Sequence, residues 1–300
     1  FAVCFHLLKT AIVKGRLTMP QSQCIIATEQ SGLIATEIES LYEISKSAAL
    51  KGGEVLMKNY GNIREINHKG KIGDLVTNSD FEAEEKIIDF LNEKTPDIQI
   101  LAEESGYKGN ENSLKWCIDP LDGTTNYAHG FPFFGTSIGL TFNDKPILGA
   151  ISVPFFKELY SAAPGIGSFC NNKLIKVSNT SKLIDSLLVT GFAYDRRTNI
   201  QNNYSEFCLL TDKTRGVRRA GAAAVDLAFV AAGRLDGFWE RGLSKWDIAA
   251  GVPIVELAGG IVTNYPKGNF ELASGRILAC TPGIENEIKM ELSKVKPLNL

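Results

Sequence analysis

Histidine is scarce in this 300-residue chain, paired cysteines are absent and no long apolar run occurs; each shortage removes a class of function. The only histidines are His6, His68 and His129. Gly135-Thr136-Ser137-Ile138-Gly139 matches the G-x-S-x-G string of serine hydrolases, but no histidine follows the serine as that chain order requires, and the string lies in an alternating, strand-like run. The six cysteines (Cys4, Cys24, Cys117, Cys170, Cys208, Cys280) contain no C-x-x-C pair, and several sit in apolar runs, so reduced thiols in a cytosol-like compartment are expected. No apolar run approaches the roughly 18 residues that mark a membrane-spanning helix. There is no Walker A string and no H-E-x-x-H, and Gly165-Ile166-Gly167-Ser168-Phe169-Cys170 lacks the last glycine of a dinucleotide fingerprint and reads as a turn. Lys and Arg number 32 against 34 Asp and Glu, which leaves no basic footprint for nucleic acid.

What remains is an ordinary globular mixture, long enough for one large domain or two medium lobes with a sizeable core. Its opening differs from the rest. Lys9, Lys14 and Arg16 precede the first acidic residue, Glu29, and the apolar stretch Phe1–Leu8 comes before the basic residues, the reverse of a secretory signal. Residues 1–30 are read as an extension, disordered or ahead of a true start near Met19; the alternative is an organellar targeting segment.

The spacing of Ile38, Leu41, Tyr42, Ile44, Ala48, Ala49, Val55 and Leu56 predicts a helix from Ile34 to Tyr60, weakened by Gly52-Gly53 and stopped by Gly61. A turn-prone segment, Lys69-Gly70-Lys71-Ile72-Gly73, leads to a second amphipathic helix capped by Ser79 or Asp80, with Pro96 beyond its end. Ile98–Ala102, Trp116–Ile118, Gly135–Phe142, Ile147–Val153 and Glu158–Ala163 read as short strands. Further on, strands at Ser186–Thr190, Asp236–Glu240, Ile261–Asn264 and Ile277–Cys280 alternate with helices at Tyr204–Thr211, Ala222–Ala232, Ile248–Ala258 and Glu285–Val295. This is the rhythm of an α/β lobe. An N-terminal α+β lobe is expected over 31–170 and a C-terminal α/β lobe over 171–300.

Three acidic segments carry the chemistry. In Trp116-Cys117-Ile118-Asp119-Pro120-Leu121-Asp122-Gly123-Thr124-Thr125-Asn126 an apolar strand ends in two carboxylates, Pro120 stiffens the turn and Gly123 allows tight backbone geometry. Hard divalent cations take such oxygen ligands, and a helix opening at Gly123 or Thr124 offers amides to a phosphate oxygen. Taken alone, Asp-x-x-Asp is as well explained by a capped turn. In Ala102-Glu103-Glu104-Ser105-Gly106 a second apolar strand ends in carboxylates, or a charged loop begins. In Trp246-Asp247-Ile248-Ala249-Ala250-Gly251 an aspartate opens an apolar helix, as an N-cap also would.

Together with Gly73-Asp74-Leu75-Val76-Thr77-Asn78-Ser79-Asp80 and Arg219-Ala220-Gly221-Ala222-Ala223-Ala224, these strings resemble the inositol monophosphatase family, from about Leu33 to the last helix, and most of all its bacterial and plastid members. The resemblance implies a layered αβαβα sandwich and a magnesium-dependent, lithium-sensitive phosphomonoesterase, with two to three Mg²⁺ per site. By that likeness Glu103, Asp119 and the Leu121 carbonyl match ligands of the first metal; Asp119, Asp122 and Asp247 match those of the second. A third metal would lie near Glu103 with Lys69 in its outer shell. Thr124 and Glu103 match the groups that orient the attacking water, and Asp80 the carboxylate that holds Thr124. Asp122, Gly123, Thr124, Gly221, Ala223 and Glu240 match substrate contacts. The implied reaction is hydrolysis of myo-inositol monophosphate by a metal-activated water.

Relatives on the same scaffold prefer fructose 1,6-bisphosphate, histidinol phosphate, another sugar phosphate or 3′-phosphoadenosine 5′-phosphate. A non-catalytic relative that binds a phosphorylated ligand is the reading from another class. The run Leu243-Ser244-Lys245 departs from animal members and bears on substrate preference. A homodimer is expected, with no nucleic-acid or membrane partner and a cytoplasmic location. Phe131, Phe133 and Phe134 are expected in the core, and Arg215, Arg218 and Arg219 on a solvated face or drawing in anionic substrate.

Overall fold

The computed structural model describes residues 22–70 and 74–298. Met19 and the rest of 1–21, together with Lys71, Ile72 and Gly73 of the turn-prone segment, lie outside the described residues.

Helix α1 (Gln23–Ser31) corrects the expected extension, which cannot reach residue 30. Cys24 and Ala27 are fully buried, and Glu256 caps the helix by accepting from the Ser22 hydroxyl at 2.6 Å and the Cys24 amide at 3.0 Å. A nine-residue helix has little stability of its own, so it owes its form to those tertiary contacts, which a local reading cannot see.

Helix α2 (Ala35–Asn59) runs unbroken through Gly52-Gly53. A Cβ on Gly52 would lie 2.6 Å from the Thr136 methyl and 2.9 Å from Ile87 Cδ1; one on Gly53 would lie 2.6 Å from Ser152 Oγ. The glycines weaken the helix locally but let it press against the sheet. Gly52→Ala should therefore destabilise the protein: overpacking costs about 1–3 kcal/mol against a propensity gain near 1 kcal/mol. A fall in melting temperature of roughly 2–6 °C is expected by calorimetry, and an unchanged or raised value would contradict this account. Helix α3 (Asn78–Lys94) is capped by Thr77 rather than Ser79 or Asp80. Thr77 Oγ1 accepts from the Ser79 amide at 3.1 Å, while Asp80 Oδ2 accepts from the Thr77 amide at 2.8 Å, a reciprocal capping box.

The strands form a hairpin and two sheets. The hairpin pairs β1 (Ile66–His68) with β2 (Leu75–Thr77). The first sheet contains β3 (Gln99–Ala102), β4 (Gly106–Lys108), β5 (Leu114–Asp122), β6 (Gly135–Phe142), β7 (Lys145–Val153), β8 (Glu158–Ala163), β9 (Gly167–Cys170) and β10 (Lys173–Leu174), in the order β10-β9-β8-β7-β6-β5-β3-β4. The second contains β11 (Leu187–Thr190), β12 (Gly216–Arg218), β13 (Gly237–Arg241), β14 (Ile261–Thr263) and β15 (Arg276–Cys280), in the order β12-β11-β13-β15-β14. The remaining helices are α4 (Thr124–Ala128), α5 (Tyr204–Lys213), α6 (Ala223–Ala231), α7 (Lys245–Ile248), α8 (Gly251–Leu257) and α9 (Glu285–Lys294).

Side-chain alternation stacks these elements as an αβαβα sandwich. On the first sheet Trp116, Ile118 and Ile138 face α2 and α3, while Cys117, Ile151 and Ala162 face the central helices α6 and α8. On the second sheet Val189, Phe238, Ile277 and Ala279 meet those same helices; Leu188, Trp239, Leu278 and Cys280 turn to α5 and α9. Both faces of both sheets are thus covered, which explains the near-continuous apolar runs. The expected single helix over Ile248–Ala258 is two, α7 and α8, because Pro253 has no amide to donate to the Ala249 carbonyl. The Gly165–Cys170 turn ends in β9. Phe134 is fully buried and Phe133 half-buried, but Phe131 is 53% exposed, contrary to a core position.

Candidate active site

Asp119 and Asp122 stand three residues apart, a spacing that on a regular strand sends side chains to opposite faces. A bulge in β5 prevents this. Asp119 pairs with Ser137 and Asp122 with Gly135, so β5 takes three steps where β6 takes two. The extra residue restores both carboxylates to one side. Pro120 suits the bulge because it needs no amide partner; its carbonyl accepts from the Thr136 hydroxyl at 3.0 Å. The strand therefore continues through the carboxylates instead of ending before them at Ile118. Gly123, at φ 90°, then turns the chain into α4, where a Cβ would meet the Phe133 carbonyl at 3.0 Å and Ala222 Cβ at 3.1 Å.

Glu103 reaches the same place by parallel pairing. Ala102 is in register with Ile118, and the Glu103 amide continues the ladder to the Ile118 carbonyl at 3.1 Å, which sets Glu103 beside Asp119. Asp247 arrives from the other side of the sheet. Gly139 and Gly149 have no side chain to keep Ala249-Ala250 away, and a Cβ on Gly149 would sit 2.5 Å from Ala250 Cα. This close seat brings α7 down onto β5 and β6. Ser244 caps α7, with Asp247 at its third position accepting from the Ser244 amide at 2.6 Å. Ser137 of the hydrolase-like string is fully buried, and its hydroxyl donates to the Trp246 carbonyl at 3.2 Å.

The remaining groups surround these carboxylates. Thr124 Oγ1 lies 3.1 Å from Asp80 Oδ1 and 3.0 Å from the Leu121 carbonyl. A hydroxyl has one proton, so it donates to one of these at a time. Asp80 also accepts the Thr77 hydroxyl at 2.7 Å. Lys69 bonds Glu103 at 2.8 Å and also Glu104. Asp122 Oδ1 accepts from the Ala223 amide at 3.0 Å, and Oδ2 from the amides of Ala224 at 2.8 Å and Val225 at 3.2 Å. Asp122 is thus also the cap of α6, so the Ala223 amide, matched above to a substrate contact, is bonded to a site carboxylate. Gly221, at φ 89°, precedes this cap, and Asn126 Nδ2 donates to the carbonyls of Ala220 at 2.9 Å and Gly221 at 3.4 Å. Glu240 on β13 is buried behind Asp122.

The electrostatics mark a crowd of like charges. Burial, then Glu103, Asp122 and Asp247, push the Asp119 carboxyl well above its ordinary range. Burial and Glu103 do the same to Asp247, against the Ser244 amide. Burial lifts Asp122 to about 7 although three amides oppose it. Asp80 is raised to about 6 by burial against its Thr77 bonds, and Glu104 to about 7 by burial against Lys69. Burial opposes the charge on Lys69, but Glu103 and Glu104 outweigh it and raise its pKa. Burial carries Glu240 to about 8, partly countered by Arg219.

Hard, buried oxygens that repel one another are a donor set that a divalent cation relieves. Among the described residues, however, no three His, Cys, Asp or Glu side chains are gathered tightly enough to hold an ion as they stand. The bonds above say why: Lys69 holds Glu103, the α6 amides hold Asp122 and the Ser244 amide holds Asp247.

Against known proteins, the model of the family described as "Inositol monophosphatase family" matches residues 37–295. The chain belongs to the inositol monophosphatase family. An inositol-1-monophosphatase of Synechocystis sp. is 48% identical over 259 residues, covering 86% of this chain and 90% of the relative. A protein of Aquifex aeolicus named fructose-1,6-bisphosphatase/inositol-1-monophosphatase is 40% identical, covering 79% and 91%. The solved structure of inositol monophosphatase from Anabaena (Nostoc) sp. PCC 7120 superimposes with a TM-score of 0.79 at 47% identity, covering 87% of this chain and 98% of that one. The αβαβα sandwich is thus the fold of the inositol monophosphatase family, and the chain is a phosphoric monoester hydrolase of that metal-dependent family.

Some members of the site were not singled out from the sequence. Glu104 stands in the sequence as one more acid of the Ala102–Gly106 string, yet its side chain is 6% exposed and paired with Lys69. Glu84 accepts from the Glu104 amide at 2.9 Å, and its signal was an acidic residue on the apolar face of α3. Asp226 is buried in α6 beside Asp122 and Glu240, a single acid in an otherwise alanine- and valine-rich run. Of the basic cluster, Arg215 pairs with Asp185 at the surface, whereas Arg219 offsets the charge of Glu240. Lys245, in the run that departs from animal inositol monophosphatases, pairs with Asp144 at 2.8 Å.

Proposed function

We propose that the protein hydrolyses myo-inositol monophosphate to inositol and phosphate with Mg²⁺, two to three ions per site. One observation carries this reading: three separate elements bring Glu103, Asp119, Asp122 and Asp247 together, and burial and the neighbouring Glu103 raise the proton affinity of the three aspartates next to the Thr124–Asp80 pair. Glu103, Asp119, Asp122, Asp247 and the Leu121 carbonyl would hold the metal. When bound, it supplies charge stabilisation to the phosphoryl and leaving oxygens. Lys69 holds Glu103 in place and sits in the outer shell. Thr124 and Glu103 orient the attacking water, and Asp80 receives the threonine hydroxyl, so a proton has a path away from the nucleophile. Amides of Gly123 and Thr124 take phosphate oxygens, while Asp122, Gly221, Ala223 and Glu240 meet the leaving alcohol. The relative that carries both names supports fructose 1,6-bisphosphate as the second substrate.

Phosphate release from a panel of sugar and polyol phosphates, with Mg²⁺ and with EDTA, tests the reading. Inositol monophosphates should head the panel, and EDTA should abolish turnover. A folded protein that releases nothing in Mg²⁺ would refute it. A homodimer and a cytosolic or plastid-like location complete the proposal. The location is supported by the free thiols of Cys24, Cys117, Cys170, Cys208 and Cys280, and no helix among the described residues is long and apolar enough to cross a membrane.

A further inference from the structure

The segment between β11 and α5 belongs to the second sheet yet reaches the rim of the site. It begins at Gly191, which lies so close to the Glu240 carboxylate that a Cβ would collide with it. Three residues on, Tyr194 is 44% exposed, and its phenol lies in the combined field of Asp74, Glu103 and Asp247, offset by Lys69. Its hydroxyl has no hydrogen-bond partner among the described residues. Both neighbours of Tyr194 are pinned. Ala193 packs against Gly242, where a Cβ would lie 2.6 Å from Ala193 Cβ. Asp195 receives a forked pair of bonds from the buried Arg241 guanidinium, at 2.7 and 3.2 Å, and accepts from Asn199 Nδ2 at 2.8 Å. Arg241 is held in turn by the Gln201 carbonyl. Consecutive residues of β13 therefore fix two things: Glu240 inside the cleft, and through Arg241 the loop that carries Tyr194.

We propose that Tyr194 is a specificity-determining residue that donates its hydroxyl to the alcohol part of a polyol phosphate, with the Arg241–Asp195 fork as its positioning device. A rigid aromatic ring with a polar tip is suited to such a rim, since it covers area with few rotors and reaches a ring hydroxyl. The inference rests on the functional reading above.

The test compares myo-inositol 1-phosphate with p-nitrophenyl phosphate, whose leaving group bears no hydroxyl to recognise. Tyr194→Phe should raise KM for the inositol ester by about fivefold to tenfold, the size of one lost hydrogen bond, and more than it lowers kcat. The loss should be several times larger on the inositol ester than on the nitrophenyl ester. Asp195→Asn, which loosens the fork, should give the same skew while Tyr194 remains. The double variant should be no worse than the worse single one. If the wild type turns over the inositol ester and Tyr194→Phe loses equally on both esters, or on neither, Tyr194 has no such role. If the wild type releases phosphate only from the nitrophenyl ester, the substrate class itself is wrong and this inference falls with it.

Discussion

Asp119→Asn is expected to reduce phosphate release on the order of a thousandfold and yet raise the melting temperature of the metal-free protein. Both effects follow from the same geometry. Asp119 is 2% exposed and faces Glu103, Asp122 and Asp247, so its charge is opposed from all sides. The amide isostere keeps an oxygen for the Leu121 amide, now accepted at 3.0 Å by Oδ1, and its nitrogen can donate toward Glu103. No buried group loses a partner, and one source of repulsion disappears. Asp122→Asn should behave differently. Both its oxygens accept amides of α6, and the amide isostere can present only one acceptor to them. It should lose activity to a similar degree and also about 1–3 kcal/mol of stability. Phosphate-release assays beside calorimetry in EDTA separate the pair. Equal melting shifts for both variants would contradict the distinction drawn between a carboxylate whose bonds the amide isostere can keep and one that caps a helix with both oxygens.

The stability of the metal-free protein should fall as pH rises from 5 to 8, and Mg²⁺ should reverse most of that fall. Asp80, Asp122, Glu104 and Glu240 hold their protons up to about 6, 7, 7 and 8, against ordinary values of 3.8 for aspartate and 4.5 for glutamate. Between the ordinary and the raised value the folded chain binds more protons than the unfolded one. Stability is then complete at or below the ordinary value and is lost as pH climbs through the raised one. Each unit corresponds to about 1.4 kcal/mol per group, shared among interacting sites. A drop in melting temperature of roughly 5–10 °C in EDTA is expected over this window. A divalent cation takes the place of those protons, so 5 mM Mg²⁺, roughly a saturating level for a millimolar-or-tighter site, should lift the pH 8 value far more than the pH 5 value. A flat or rising profile in EDTA would show that these carboxyls ionise without strain.

Sequence legibility followed local physics. Strands β6 and β8 coincide with their predicted spans because alternation and bounding turns are local signals. The site strings were legible because each is an apolar strand or a helix start ending in an acid. The bulge in β5 was not, since parity between Asp119 and Asp122 depends on the partner strand β6. Helix α1 was missed for a related reason: its cap, Glu256, is more than 200 residues away. Gly52 reads as a helix breaker and Gly139 as a motif glycine in isolation, and only their neighbours reveal them as places of close approach. Tyr194 carried no signal at all, because a tyrosine in a turn-rich segment looks like surface until the second sheet is folded against the first.

The threefold grip of the α6 amides on Asp122 has a mechanical meaning. Asp122 belongs to the first sheet and α6 to the layer between the sheets, so the carboxylate works as a pin through two plates at the floor of the cleft. The plates cannot swing about it without breaking three bonds in a dry interior. Substrate entry and product exit are thereby left to the rim, where Tyr194 lies in the field of Lys69 and Asp74.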